Sequence, residues 1–199
     1  MIGKEEMEKL VFDSQKVLGS GLEVIVCTQE GASLKSPGVP AHYYRYLYFL
    51  ADKIKPKLSV ELGTHTGISA ACIAEGYSEG KVITIDNHNY LRGECKRRNI
   101  EYWIQDSLAT LKRPIDDINL LFIDTAHDGV RAKNEYNYWL KYMADDGIVL
   151  FDDINLNDEM KQFWASFNPT EGLKFELLVH GWAGFGVILL GEGGDKNDK

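Results

Sequence analysis

The chain has 199 residues, 44% of them apolar and 26% charged, which is the make-up of a folded protein with enough residues for a full-sized core. Its formal net charge of −8 argues against nucleic acid as a partner, because phosphate neutralisation needs a basic face. No apolar run approaches the ~18 residues of a membrane span, the first residues lack a secretory pattern, and Cys27, Cys72 and Cys95 are too far apart for a zinc motif, so the expectation is a cytoplasmic protein with free thiols.

In chain order, residues 4–18 suggest a helix, with Met7, Leu10, Val11, Ser14 and Leu18 on one side and Gly19 to stop it. Residues 22–27 read as a short strand, and 28–40 carry turn chemistry throughout, suggesting a mobile loop. Tyr43, Leu47, Leu50 and Ile54 make the apolar stripe of a helix over 41–54, which Pro56 closes. The aromatic run "HYYRYLYFL" within it reads as packing, with one or two tyrosines free to face a pocket.

A regular alternation follows. Strand-like runs occupy 58–62, 81–85, 100–104, 118–123 and 148–151. Helical spacing fills 130–143, through Tyr136, Trp139, Leu140 and Met143, and 158–167, through Met160, Phe163, Trp164 and Phe167. Asn157 reads as a cap and Asn168-Pro169 as a stop. Residues 174–190 hold two strand-like runs with only a Gly-rich turn between them, which should pair antiparallel. The expected fold is α/β, a doubly wound, mostly parallel sheet closed by a C-terminal hairpin. Residues 1–56 form a helical and loop cap, 57–190 the core, and 191–199 a flexible tail.

In such a sheet, ligands bind beyond the C-terminal strand ends. "VELGTHTGISA" (60–70) occupies that edge, with Gly63 and Gly67 allowing close backbone approach and a helix starting near Ile68. A dinucleotide fingerprint would need glycine where His65 stands, and no Gly-Lys-Ser/Thr of a P-loop follows. The next strand ends in Asp86, suited to a ribose diol, and the third in Gln105, Asp106 and Ser107. An acid-rich edge with a Gly-rich backbone suits a nucleoside bearing a positive centre, as in S-adenosylmethionine.

"VELGTHTGISA", "VITID", "WIQDS", "LLFIDTAHDG" and "GIVLFDDIN" together resemble class I S-adenosylmethionine-dependent methyltransferases over about residues 57–190. Within that class the chain looks most like the metal-dependent catechol-type and sugar-type O-methyltransferases. The resemblance implies S-adenosylmethionine as cofactor, with Glu61 near the methionine ammonium and Gly63, Thr64 and Gly67 forming the loop. It further implies Ser69 at the carboxylate, Asp86 at the ribose, and Gln105 and Asp106 near the adenine, with Ser107 a further cofactor-binding candidate.

Asp124, Asp152 and Asp153 end neighbouring strands, and like charges that close call for a cation. Three oxygen ligands suit a divalent metal such as Mg2+, which would bind two vicinal oxygens of a substrate and lower a hydroxyl pKa. His127, three residues after Asp124, stands where the catechol-type enzymes carry a lysine base, and is competent for the same task. Asp153 departs similarly from the asparagine of that pattern. His65, His88 and Asn89 lie at the same edge.

The expected reaction is O-methylation of a small sugar, polyol or phenol with adjacent hydroxyls, by an enzyme with no nucleic-acid or membrane partner and with homo-oligomerisation left open. The alternatives are a nicotinamide-dependent oxidoreductase on a related sheet and a non-catalytic S-adenosylmethionine-binding protein. Amide N-methylation lacks its aromatic-proline motif.

Overall fold

The structure, a computed structural model, describes residues 2–16, 41–91, 95–111, 113–179 and 183–191. The expected strand at 22–27, the loop at 28–40, Cys27, His180 and all of the tail but Gly191 fall outside those residues. Among the described residues there are five α-helices: α1 (Lys4–Lys16), α2 (Ala41–Ile54), α3 (Ile68–Gly76), α4 (Gly129–Trp139) and α5 (Asp158–Ser166). The strands are β1 (Leu58–Leu62), β2 (Lys81–Asp86), β3 (Ile100–Ile104), β4 (Ile118–Ile123), β5 (Met143–Phe151), β6 (Leu173–Leu177) and β7 (Phe185–Leu189).

They form one seven-stranded sheet in the order β3-β2-β1-β4-β5-β7-β6. β1 to β5 run parallel, while β7 pairs antiparallel with both β5 and β6, as expected for the hairpin. The order reverses beside β1, so the loops after β1 and β4 part there and open a crevice at the C-terminal edge.

Both faces of the sheet are covered, which is why the central strands read as unbroken apolar runs. One face packs against α1, α2 and α3, through Met7, Tyr46, Leu47, Leu50 and Ile73. The other packs against α4 and α5, through Tyr136, Trp139, Phe163 and Trp164. Burying each Leu- or Phe-sized side chain contributes about 1.5–3 kcal/mol. Along β1 the period-two alternation sends Val60 and Leu62 to the second face and Glu61 to the first.

The segment 130–143 departs from expectation. The helix stops at Trp139, a 3-10 turn spans Leu140–Tyr142, and Met143 begins β5 by pairing with Ile118. The ladder then shifts register between Ile118 and Leu120, with Asp145 and Asp146 exposed. The fourth apolar position of the helical stripe is therefore a strand residue, because backbone pairing to β4 outweighs continuation of the helix. Arg97 pairs with Glu75 in the last turn of α3.

Candidate functional site

The parallel ladder continues one residue past each strand and draws the chemical groups to one edge. The Gly63 N–H donates to the Ile85 carbonyl (2.8 Å), Asp124 N–H to Leu62 (2.8 Å), Gln105 N–H to Asp86 (2.9 Å) and Asp152 N–H to Ile123 (3.0 Å). A cleft of about 520 Å3 opens there, lined by Gly63, His65, Asp86, Asn87, Tyr90, Asp124, His127 and Arg131 among others. A slightly larger hollow, about 610 Å3, lies at the opposite edge among Lys57, Asn119 and Asp146. Size does not make it the site, because the strand-end carboxylates gather at the C-terminal edge.

Gly63 sits at φ 101°, and a Cβ there would lie 1.7 Å from the Asp124 carbonyl oxygen, so no side chain fits. Gly67 caps α3 at φ 85°, its N–H donating to the Thr64 carbonyl (2.7 Å). Glu61 is fully buried beneath this turn. Its Oε2 accepts from the Thr84 hydroxyl, which shares a 2.7 Å hydrogen bond with Thr64. Its Oε1 is buried with no hydrogen-bond partner among the described residues. Burial pushes the Glu61 carboxyl up to about 8, against the opposing hydroxyls of Ser69 and Thr84 and with Asp124 and Asp86 adding to the rise. An orphaned buried oxygen of this kind fits a ligand donor, and an ammonium would also favour ionisation.

Asp86 accepts the backbone N–H of His65 at Oδ2 (2.8 Å) and of His88 at Oδ1 (2.9 Å). A carboxylate has about four acceptor positions, so two remain for a diol. The rings of His65 and His88 flank Tyr90, with centroids at 6.0 and 5.5 Å. Asn89 turns its Oδ1 to the Leu91 N–H (3.4 Å). On the next loop Gln105 has a buried Nε2 with no partner among the described residues, a second orphan at this edge. Asp106 accepts from Arg131 Nη2 at both oxygens (3.2 Å each). The Ser107 hydroxyl turns inward to Glu135.

At the acid group, His127 Nε2 lies 3.4 Å from Asp124 Oδ1 and 3.3 Å from Asp153 Oδ2. Both His127 (φ 49°) and Asp153 (φ 54°) hold left-handed backbone, which costs of order 1–3 kcal/mol and is kept where surroundings impose it. Asn157 imposes part of it, donating to the His127 carbonyl (3.0 Å). The Asp124 carboxylate beside the ring is the main cause raising the His127 pKa, against partial burial, and Asp153 and Asp152 add to it. Asp152 is buried and its Oδ1 accepts the N–H of Asp153 (2.9 Å). The imidazole thus stands between Asp124 and Asp153. Among the described residues no group of three or more His, Cys, Asp or Glu is arranged to hold a metal ion.

Sequence reading left one or two tyrosines of residues 42–50 free to face a pocket without naming which, and missed other groups here. Tyr43 and Tyr44, at the start of α2, have phenols pushed up by burial, with Asp124 and Asp152 contributing, so this helix overlooks the acids. Arg131, Thr125 and Glu135 form a network under the cleft, with Thr125 Oγ1 donating to Glu135 Oε2 (2.8 Å). The acid four residues after the arginine was a legible helical pair, but its loop partners were not.

A family model described as a methyltransferase domain matches residues 60–154, from β1 through the acidic turn after β5. Among solved structures, the chain is similar to the O-methyltransferase TomG of Streptomyces achromogenes, involved in tomaymycin synthesis and determined with S-adenosylmethionine. Identity is 18%, the TM-score 0.66, and the match covers 96% of this chain and 99% of that one. It is similar to the methyltransferase PaMTH1 of Podospora anserina bound to S-adenosylhomocysteine, at 17% identity and TM-score 0.68, covering 96% and 97%. It is also similar to an O-methyltransferase of Bacillus cereus with S-adenosylhomocysteine, at 19% identity and TM-score 0.65, covering 92% and 96%. At these identities the likeness is one of fold. An uncharacterised curated protein, y4gI of Sinorhizobium fredii, is 24% identical over 165 residues, 72% of this chain. The chain spans only 18% of that relative's length.

Proposed function

We propose that the chain, whose residues 60–154 match a methyltransferase-domain model, is an S-adenosylmethionine-dependent methyltransferase that acts on a hydroxyl oxygen of a small molecule, with His127 as general base. The observation that carries this reading is the His127 ring, 3.4 Å from Asp124 and 3.3 Å from Asp153, on the same cleft as the glycine turn.

Bound S-adenosylmethionine supplies an electrophilic methyl on a sulfonium. The chain's own residues bind and orient around it. Glu61 offers its orphaned Oε1 to an ammonium, Asp86 its spare lone pairs to a ribose diol, and Ser69 a hydroxyl to a carboxylate. Gly63, Thr64 and Gly67 keep the turn flat enough for close approach, while Gln105, Asp106 and the backbone at Ser107 face the base. His127 takes the proton from the acceptor hydroxyl at Nδ1, while Nε2, facing Asp124 and Asp153, carries its own proton; Asp124 orients the ring and stabilises the imidazolium that forms.

The acceptor class is a sugar, polyol or phenol. Asp124, Asp152 and Asp153 do not form a three-ligand cluster in this arrangement, so no step here runs through a metal; Mg2+ is tested directly.

The test begins with calorimetric titration of S-adenosylmethionine, before and after chelation, with NADH as control. Methyl transfer to catechol and to a methyl glycoside follows, with and without Mg2+. The reading expects micromolar binding of the first ligand and none of the second. His127→Ala should lose about 10²–10⁴-fold in kcat while its affinity for the cofactor stays unchanged. Because its carboxylate neighbours raise the His127 pKa, the rate should climb with pH and level off above the ordinary histidine value of about 6.5. Full activity in His127→Ala would remove the base from the mechanism, and absence of S-adenosylmethionine binding would remove the whole reading.

A further inference from the structure

Glu135 is the most deeply buried carboxylate outside the cleft that the proposed chemistry leaves unused. It lies in α4 with none of its surface exposed, and every donor around it is accounted for. Oε1 accepts from the Ser107 hydroxyl and from Arg131 Nε (3.0 Å), and Oε2 from Thr125 Oγ1 (2.8 Å). A carboxylate this buried is costly to keep unless such donors surround it.

The donors come from places the sheet keeps apart. Ser107 follows β3 and Thr125 follows β4, and two strands, β2 and β1, separate these in the strand order. Glu135 therefore bridges the strand ends on which the cleft rests. Arg131 extends the bridge, its Nη2 reaching Ser107 Oγ (2.8 Å) and both Asp106 oxygens (3.2 Å).

The rest of the same helix face holds the same loop. Trp139 Nε1 donates to the Ser107 carbonyl (3.0 Å) and the Tyr138 hydroxyl to the Ala109 carbonyl (2.9 Å). Residues 131, 135, 138 and 139 follow the i, i+4, i+7, i+8 spacing of one helical face. What this face holds still is a loop presenting a half-exposed carboxylate, Asp106, and a buried amide without a partner, Gln105 Nε2. Asp106 Oδ1 also accepts the Leu108 N–H (2.8 Å), so Oδ2 keeps the greater spare capacity for a ligand N–H.

Building on the methyltransferase reading, we propose that Glu135 and Arg131 are positioning residues that aim Asp106, so that the nucleoside end of the cleft selects a purine with a 6-amino donor over one with a 6-oxo acceptor. An exocyclic amine donates to the aimed carboxylate. A carbonyl at that position faces it lone pair to lone pair, and a polar site left unpaired in this way rejects its ligand strongly.

The experiment is calorimetric titration of the full chain with S-adenosylhomocysteine and S-inosylhomocysteine. Wild type is expected to prefer the adenosine compound by about tenfold or more. Glu135→Ala should lower that ratio to within roughly threefold, while Glu135→Gln, whose amide oxygen still accepts from Ser107 or Arg131, should restore much of it. Arg131→Lys keeps the charge without the forked donors, and should move the ratio the same way from a partly exposed position that folding tolerates. A ratio unchanged in both Glu135→Ala and Arg131→Lys, with only the melting temperature lowered, would overturn the proposal and leave the bridge a structural one. Equal affinity of wild type for the two compounds would overturn it while leaving the methyltransferase reading intact. No binding of S-adenosylhomocysteine by wild type would bring down both.

Discussion

At the residue scale, Glu61, beneath the glycine turn, is strongly perturbed. Its carboxyl is held up to about 8 in the folded chain, against an ordinary value of 4.5, chiefly by burial. Between those values the folded state keeps a proton that the unfolded state has released. Stability therefore falls as pH rises from about 4.5 to about 8 and levels beyond. Glu61→Gln should flatten that slope in urea melts recorded across the range. An ammonium settling beside the carboxyl favours its ionised form, so cofactor binding at pH 7 should expel a proton. Calorimetry in phosphate and in Tris then gives different apparent heats for wild type and matching heats for Glu61→Gln. Matching heats for wild type as well would disconnect Glu61 from the ammonium.

Which residues could be picked out in advance follows from how each acts. Glu61, Asp86, Asp124 and His127 stand at or just after strand ends, where local pattern already gives an address. Glu135 and Arg131 have only the i, i+4 spacing of an ordinary helical ion pair to mark them in the sequence, since the other partners, Ser107 and Thr125, lie 28 and 10 positions from Glu135. The same holds for Tyr43, whose closeness to the acids depends on where α2 docks.

At the element scale, Asn157 has two tasks. Its Oδ1 accepts the Met160 N–H (2.8 Å) and caps α5, as its place before the apolar stripe suggested. Its Nδ2 donates to the His127 carbonyl, which only the packed loops reveal. Asn157→Ala should cost about 1 kcal/mol of stability through the lost cap. It should also lower kcat by roughly 10- to 100-fold as the base drifts. Asn157→Asp separates the two tasks, because aspartate still caps but cannot donate. Denaturant melts near wild type together with a reduced kcat are expected, and a wild-type kcat would show that the tether is dispensable. The boundary of α4 carries a related lesson. A stripe with helical period ran to Met143, yet that residue joins β5, because pairing across to Ile118 is a contact no local window contains.

On the scale of the whole molecule, a strand order reversing beside β1 opens the cleft, and ligand binding there should be read by the entire fold. A ligand present at 100 times its Kd adds about 2.7 kcal/mol to the stability of the state that binds it. S-adenosylmethionine at that excess should raise the melting temperature by several degrees, and NADH at equal concentration should leave it alone. A shift with NADH instead would favour the oxidoreductase alternative. No helix among the described residues is long and apolar enough to cross a membrane, in line with the absence of long apolar runs.

The sequence by itself determined the alternation of strands and helices, the parallel sheet with its closing hairpin, and the edge at which Asp86, Asp124 and His127 would meet. These follow from periodicity and from strand ends, both of which are local properties of the chain. Only the tertiary structure decided that His127 stands between Asp124 and Asp153, that one oxygen of Glu61 is left without a partner, and that α4 ties the β3 and β4 loops together. Each of these depends on distances between segments far apart in sequence, and such distances are set by how the helices pack on the sheet.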